Sequence, residues 1–580
     1  MVKIKKIGWI AIICSILKAL LRRISRFLIS RTYDLLVLSS ILVYGVIFSH
    51  FTIMKHNLFY SYAWDLGIFN QALHNTIYEG RFLFYTVEKF VNPSQNYFAI
   101  HFSPILFFLI PFYIIYPSPK TLLILNSFIL ASGAFPLYLI VSIMLKSRKA
   151  GFLLALIYLL YPALHGANWY DFHPQVFIPL LVFSSFYFAR RKKWKSFLVG
   201  TLLLTLVEEH VLIIVLLLSL YLLSICNFSL IKEEVKHLRL NQFFASLMAI
   251  FICIAVFLIG MYVKGLYPLN PKYLKHFKAL DAFEILGVED DPIFAPVYAI
   301  LNPQRAVNAL AYDYHIKFFY IVLLFAPVLF IALRSKLSIV AFSILIPFLL
   351  SNYWPYYTIG AQYPLYIFPI IFLATVDCLR KLNSKSVMHI LKIMLIVTII
   401  FAVSINPISP LSKAFVDKSI LWYPPVDFSF NEKVESLHAL IKLIPQNASV
   451  LTQNHLFPHV SGRVEAYVIP YVHTEDEYLR HLIFLSDYIL LDLSEHDYGT
   501  NFVFGEVKNN ETYGIYGLAS TALLFKKGYK GTPMFSHYTE HRVLLAYRDF
   551  RTRNSHIIYD ESSKSKHVIL LPRGVDSCIY

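Results

Sequence analysis

Long apolar runs parted by short basic loops constrain this chain more than any other feature. A helix needs about 20 mostly apolar residues to cross the roughly 30 Å hydrocarbon core of a bilayer. Residues 35–53, 120–145, 243–263 and 389–405 come near or meet that length. Residues 150–165, 175–189, 196–208, 211–227, 318–333, 337–351 and 364–379 are apolar but shorter. The chain of 580 residues is 57% hydrophobic and only 15% charged, whereas soluble domains carry about 25% charge. These runs predict a mainly α, polytopic membrane protein of about eleven transmembrane helices.

The formal net charge of +17 has a membrane explanation before a nucleic-acid one, because basic loops are retained on the cytoplasmic side. Residues 102–117, FSPILFFLIPFYIIYP, decide the orientation of everything downstream. They are broken by Pro104, Pro111 and Pro117 and reach only about 24 Å as a helix, so they are expected to lie along the outer interface. With that choice Lys146/Arg148/Lys149, Arg190–Lys195, Lys232/Lys236/Arg239, Arg334/Lys336 and Arg380/Lys381/Lys385 all fall on one side, the cytoplasmic one. The expected location is the cell membrane, multi-pass, with the N-terminus cytoplasmic and contact with the lipid bilayer along the spans. Such placement argues for no nucleic-acid partner.

Residues 1–34 read as a basic cytoplasmic or interfacial helix, retained because Arg22, Arg23, Arg26 and Arg31 stand where a signal peptide would need a small-residue cleavage site. Residues 35–405 form the polytopic domain, with outer loops at 54–101 and 264–317. Beyond Asn406 the apolar runs cease, and 406–580 reads as a small C-terminal α/β soluble domain outside the membrane. Strands are expected at 448–453, 465–469 and 486–493, helices at 430–443 and 475–485, and a hairpin near 513–525. Asn447-Ala-Ser449 and Asn510-Glu-Thr512 are glycosylation sequons within it. Five scattered cysteines with no CxxC pair argue for neither a disulfide framework nor a cysteine metal site.

The assigned outer loops are aromatic, histidine-rich and dotted with carboxylates. The expected site gathers Asp65, His101, Asp171, His173, Glu208, Glu209, His210, Tyr356, Gln362 and Tyr363. Each has a plain alternative: Asp65 can cap the helix beginning near Leu66, and Asp171 and His173 can be solvated residues of a turn at Pro174. Transfer of a sugar from a lipid phosphate to an acceptor hydroxyl needs a carboxylate to take the hydroxyl proton, a cation or donors for the departing phosphate, and aromatic faces for sugar or lipid. Asp65 is the candidate base. His101, His173, Arg81, Lys89, Lys264 and Arg305 are candidate phosphate contacts, and a divalent metal such as Mg or Mn on Asp171, Glu209 and histidines is the alternative, with no ligand spacing to choose it. A lipid or polysaccharide transporter or flippase without chemistry is the competing reading. Ion-coupled carriers place ionisable residues at mid-depth, and here the acids lie at the ends of the runs.

Several stretches resemble the family of membrane proteins known as domain of unknown function 2079: Trp64-Asp-Leu-Gly-Ile-Phe-Asn-Gln-Ala-Leu73, His101-Phe-Ser-Pro-Ile105, Pro119–Leu139, Tyr161-Pro-Ala-Leu-His165, Asp171-Phe-His-Pro174 and Val207-Glu-Glu-His210, then Ile444–Val450, Gln453–His459 and Asp487–Asp492. That family is similar to the C-type fold of glycosyltransferases, which use polyprenyl-phosphate sugars as donors. The resemblance implies a catalytic acid in the first outer loop, Asp65 by position, an outer juxtamembrane helix after it, and a glycan, lipid or protein acceptor. Two positions depart from the family pattern. Its Lys-Glu-Asp is Glu208-Glu-His210 here, with only Glu209 matching, and Asn70 stands where Asp is frequent.

Overall fold

The computed structural model describes residues 31–226, 241–274, 280–288, 295–412, 426, 428–429, 432–470, 476–494, 497–508 and 510–539. The amphipathic helix expected over 1–34 lies almost wholly outside these residues, as do the acids at 289–291 of the long loop. The chain divides into two compact units, Met1–Phe428 and Ser429–Tyr580.

The first unit is mainly helical. Four helices are long and apolar enough to cross a membrane: Thr32–Asn57, Pro119–Met144, Gln242–Gly265 and Ser384–Ile405. Two bent pairs, Arg148–Leu159 with Pro162–Trp169 (44°) and Pro303–Ala311 with Tyr314–Val328 (77°), raise the number to six if each is one span. This corrects the expectation of eleven transmembrane helices. Every apolar run does form helix, but Trp194–Thr205, Glu209–Ser224, Leu337–Leu350 and Tyr363–Leu379 have 10–17 residues, about 15–26 Å at 1.5 Å per residue. The reason is that apolar composition has two causes. In Thr32–Asn57, Val37, Ile41 and Phe48 are buried while Leu42, Val43 and Val46 stand open, as expected of a helix with protein on one side and lipid on the other. All twelve residues of Phe368–Leu379 are buried, so that helix is apolar because protein surrounds it.

Breaks in the helices follow local chemistry. Pro162 leaves Tyr161 extended (ψ 128°) and starts a new helix. Gly133 lets Pro119–Ser132 continue as Ala134–Met144, with the Tyr158 hydroxyl packed where a Cβ would sit. The stretch expected as an interfacial helix is a 3₁₀ turn, Pro104–Leu109, running into Ile110–Ile115. Its Ile105, Leu106, Leu109 and Tyr113 are buried, whereas Phe108, Phe112, Ile114 and Ile115 are exposed. The Tyr113 hydroxyl donates to Asn70 Oδ1 at 2.6 Å, so the atypical Asn70 ties this stretch to the helix that follows Asp65.

A buried amide network joins the helices Thr32–Asn57, Pro119–Ser132 and Pro162–Trp169. Asn126 donates to Asn168 Oδ1 (2.8 Å), Ser127 to the same oxygen (3.1 Å), and Asn168 to the Tyr44 hydroxyl (3.1 Å). Two residues before Asn168, Gly166 presses on the 352–363 loop so closely that a Cβ there would meet the Ile359 carbonyl oxygen at 2.0 Å. Backbone cannot swing aside as a side chain can. Gly166→Ala is therefore expected to destabilise the protein by about 1–3 kcal/mol, the usual range for overpacking, read as a drop of several degrees in detergent-solubilised Tm. An unchanged Tm would show that this loop is not held by the approach.

The second unit carries one mixed six-stranded sheet, order β2-β1-β3-β5-β4-β6, where β1 is Val450–Thr452, β2 Ala466–Val468, β3 Tyr488–Asp492, β4 Tyr513–Ser520, β5 Ala522–Lys527 and β6 Met534–Thr539. Strand β1 pairs in parallel with β2 and β3, and β3 pairs antiparallel with β5. The first five strands fall within or at the stretches read as strands and hairpin. Helices Asp476–Leu485 and Tyr498–Lys508 supply Leu479, Leu482, Ile483, Val503 and Val507 to a core with Ile489, Leu491 and Phe525. Asp492, at the end of β3, is buried and accepts from the Ser494 amide (3.0 Å) and from Thr521.

Candidate functional site

Asp65 lies in a single π turn, Ala63–Gly67, that runs into the helix Ile68–Tyr78. Such turns are rare and concentrate at functional sites. Neither the π turn nor the following helix has a side-chain N-cap, so Asp65 is not the capping carboxylate that its place before an apolar run allows. Its Oδ1 instead faces His173 Nε2 at 3.0 Å. The imidazole packs against the rings of Tyr170 (5.1 Å) and Phe69 (5.8 Å, edge-on). Its Nδ1 is buried with no hydrogen-bond partner among the described residues.

Asp171 adopts φ 103°, a region a residue with a side chain enters at a cost of about 1–3 kcal/mol and holds where the surroundings over-determine it. Lys55, in the last turn of Thr32–Asn57, reaches Asp171 Oδ1 at 2.7 Å and the Trp169 carbonyl at 2.6 Å. Ser61 donates to the same carboxylate at 3.2 Å. Burial pushes the Asp171 carboxyl up, Lys55 pulls it back, and the charge of Asp65 adds to the rise.

Two residues beyond His173, Gln175 donates to Glu208 Oε2, and the Tyr366 hydroxyl donates to the same oxygen at 3.3 Å. Glu209 Oε2 accepts from the Phe102 amide at 3.0 Å. In both glutamates the other oxygen is turned to one place. His101 Nδ1 lies 3.1 Å from Glu208 Oε1 and 3.3 Å from Glu209 Oε1, and Lys264 Nζ lies 2.5 Å from Glu209 Oε1. Desolvation opposes a charge on His101, but the two carboxylates outweigh it and push its pKa up to about 9.

Glu88 links the two halves. Burial pushes its carboxyl above the ordinary range; Tyr85, donating at 2.5 Å, and the His101 charge pull it back, while Asp65 adds to the rise. On the far side burial pushes Tyr356 up to about 12, with Glu208 contributing. Tyr356 meets Tyr363 edge-on at 4.4 Å and stacks on Phe348 at 5.1 Å. Gln362 is buried with an Oε1 that has no partner among the described residues.

Loops far apart in sequence thus carry Asp65, His101, Asp171, His173, Glu208, Glu209, Tyr356 and Tyr363 into one interacting set. Of the candidate phosphate contacts, His101, His173 and Lys264 belong to it, whereas Arg81 lies over the Phe84 ring (5.0 Å) and Arg305 lies against Gly287. Sequence reasoning missed Lys55, Glu88, Gln175 and Tyr366. Only Lys55 carried a signal, being a cation at the end of the first span opposite the arginine-rich one.

A family model described as a predicted membrane protein, domain of unknown function 2079, matches residues 55–516. The chain belongs to that family. No curated protein matches it. Membership, with the long apolar helices, makes it a membrane protein in contact with the lipid bilayer, and the matched span takes in Asp65, the whole carboxylate-bearing set, and strands β1 to β3 with the start of β4 in the second unit.

Proposed function

We propose that this protein is an integral membrane glycosyltransferase that moves a sugar from a polyprenyl-phosphate donor to an acceptor hydroxyl at the outer membrane face. One observation carries the reading: Asp65 caps no helix and is instead held against His173 at 3.0 Å within a buried set of acids and bases. In this reaction the acceptor O–H proton passes to Asp65 as the acceptor oxygen bonds to the anomeric carbon. The bond from that carbon to the phosphate oxygen breaks, and the lipid phosphate departs with the electron pair. His173 steadies the carboxylate through Nε2, and a base so placed is worth about 10²–10⁴-fold. His101 and Lys264 provide positive charge for the departing phosphate, and Tyr356 and Tyr363 offer faces to a sugar or lipid.

The reading takes the N-terminus as cytoplasmic and the carboxylate-bearing loops as facing outward, the orientation that retention of basic loops on the cytoplasmic side favours. The reading is tested with purified protein in nanodiscs and a panel of labelled polyprenyl-phosphate sugars. Transfer to a glycan, lipid or protein acceptor is expected. No transfer from any donor, with movement of the lipid between leaflets, would replace this reading with that of a flippase.

A further inference from the structure

The His101, Glu209 and His210 ligand atoms lie within 4.8 Å of one another, and this cluster has the features of a cation site. We propose that His101, His210, Glu209 and Glu208 bind one borderline divalent ion of the Zn²⁺ type. In tetrahedral coordination at about 2.0–2.2 Å, ligand atoms stand about 3.4 Å apart. His101 Nδ1 already lies 3.1 Å from Glu208 Oε1 and 3.3 Å from Glu209 Oε1. His210 Nε2 is 4.0 Å from Glu208 Oε1, and its ring meets that of His101 at 6.0 Å. The His210 side chain is 67% exposed, so a small rotation that displaces only water closes the fourth corner.

The surrounding contacts orient the ligands. Gln175 and Tyr366 hold Glu208 Oε2, and the Phe102 amide holds Glu209 Oε2, which leaves both Oε1 atoms presented to one point. Hydrogen bonds of this kind fix metal ligands in place. Two imidazoles with two carboxylates favour Zn²⁺, Co²⁺ or Ni²⁺ over Mg²⁺ and Ca²⁺, which prefer oxygen alone. Lys264 Nζ, 2.5 Å from Glu209 Oε1 and 25% exposed, is the cation that a metal must displace, and its flexible stem can withdraw. The site is thus built for an exchange between an ammonium and a metal ion; it shares His101 and Lys264 with the proposed phosphate contacts, and an ion bound there would take over their role as the positive charge.

The test uses full-length protein in detergent, stripped with a chelator and titrated with ZnCl₂ or CoCl₂ alone. Metal content, calorimetric affinity and the visible absorption of bound Co²⁺ are recorded. One ion per chain is expected, with Mg²⁺ at least 100-fold weaker. His210→Ala, at an exposed position, should weaken binding at least 10-fold without lowering Tm, as should Glu209→Gln if it folds. Lys264→Met should tighten binding by removing the competitor. Less than stoichiometric Zn²⁺, or binding unaltered by His210→Ala and by His101→Ala, overturns the inference. Neither outcome depends on whether the protein transfers a sugar, because every readout is of the metal.

Discussion

Asp65→Asn is expected to lower sugar transfer about 10²–10⁴-fold, the contribution of a positioned general base, while leaving Tm close to that of the wild type. The amide keeps the shape of the carboxylate and can still hydrogen-bond His173 across the present 3.0 Å, so the loss is one of basicity. The side chain caps neither the π turn nor the helix after it, which removes the usual route by which an aspartate at such a position would report on folding. Rates are compared at saturating donor and acceptor, with Tm measured on the same preparation. A variant that is folded and transfers at the wild-type rate would eliminate Asp65 as the base. His173→Gln is the companion variant: a smaller fall than that of Asp65→Asn is expected if the imidazole only steadies the carboxylate.

The second large effect concerns stability. Lys55→Met should destabilise the protein by about 3–5 kcal/mol, because removing one partner of a buried ion pair leaves the other charge uncompensated. The two side chains are almost wholly inaccessible, at 6% for Lys55 and 0% for Asp171. The Trp169 carbonyl also loses its donor. Asp171→Asn removes the other charge, and asparagine tolerates the φ of 103° better than most residues. The double variant Lys55→Met/Asp171→Asn should therefore recover a measurable part of the loss. Equilibrium unfolding in mixed detergent gives the cycle, and strict additivity would mean that the 2.7 Å contact contributes no coupling.

Particular residues show how much was legible beforehand. The C-terminal strands were readable because continuous apolar runs such as the YILL of SDYILLDL are short and bounded by polar residues. Residues of the site were readable as unusual: Asp65, Asp171 and Glu209 stand out as acids among aromatics and apolar side chains. Their partners were not. Gln175 on Glu208, Glu88 near Asp65 and Lys55 on Asp171 join residues 33, 23 and 116 positions apart in the chain, and no periodicity records such meetings. The number of membrane crossings was overstated for a related reason. Phe368–Leu379 is apolar but for Thr375 and Asp377 near its end, a composition that suits lipid and protein surroundings alike, and only packing shows that it is protein.

By itself the amino-acid sequence determined that this is a helical membrane protein with a separate α/β unit, since apolar run length, basic loops and the shortness of the strand runs are local properties. It also determined which polar residues were too costly to leave buried without a use. Only the tertiary structure decided that Asp65 meets His173, that Lys55 answers Asp171, and that two adjacent glutamates turn one oxygen each toward His101. A side chain's charge is written in its chemistry, but its partner is set by which loops the packed helices carry together.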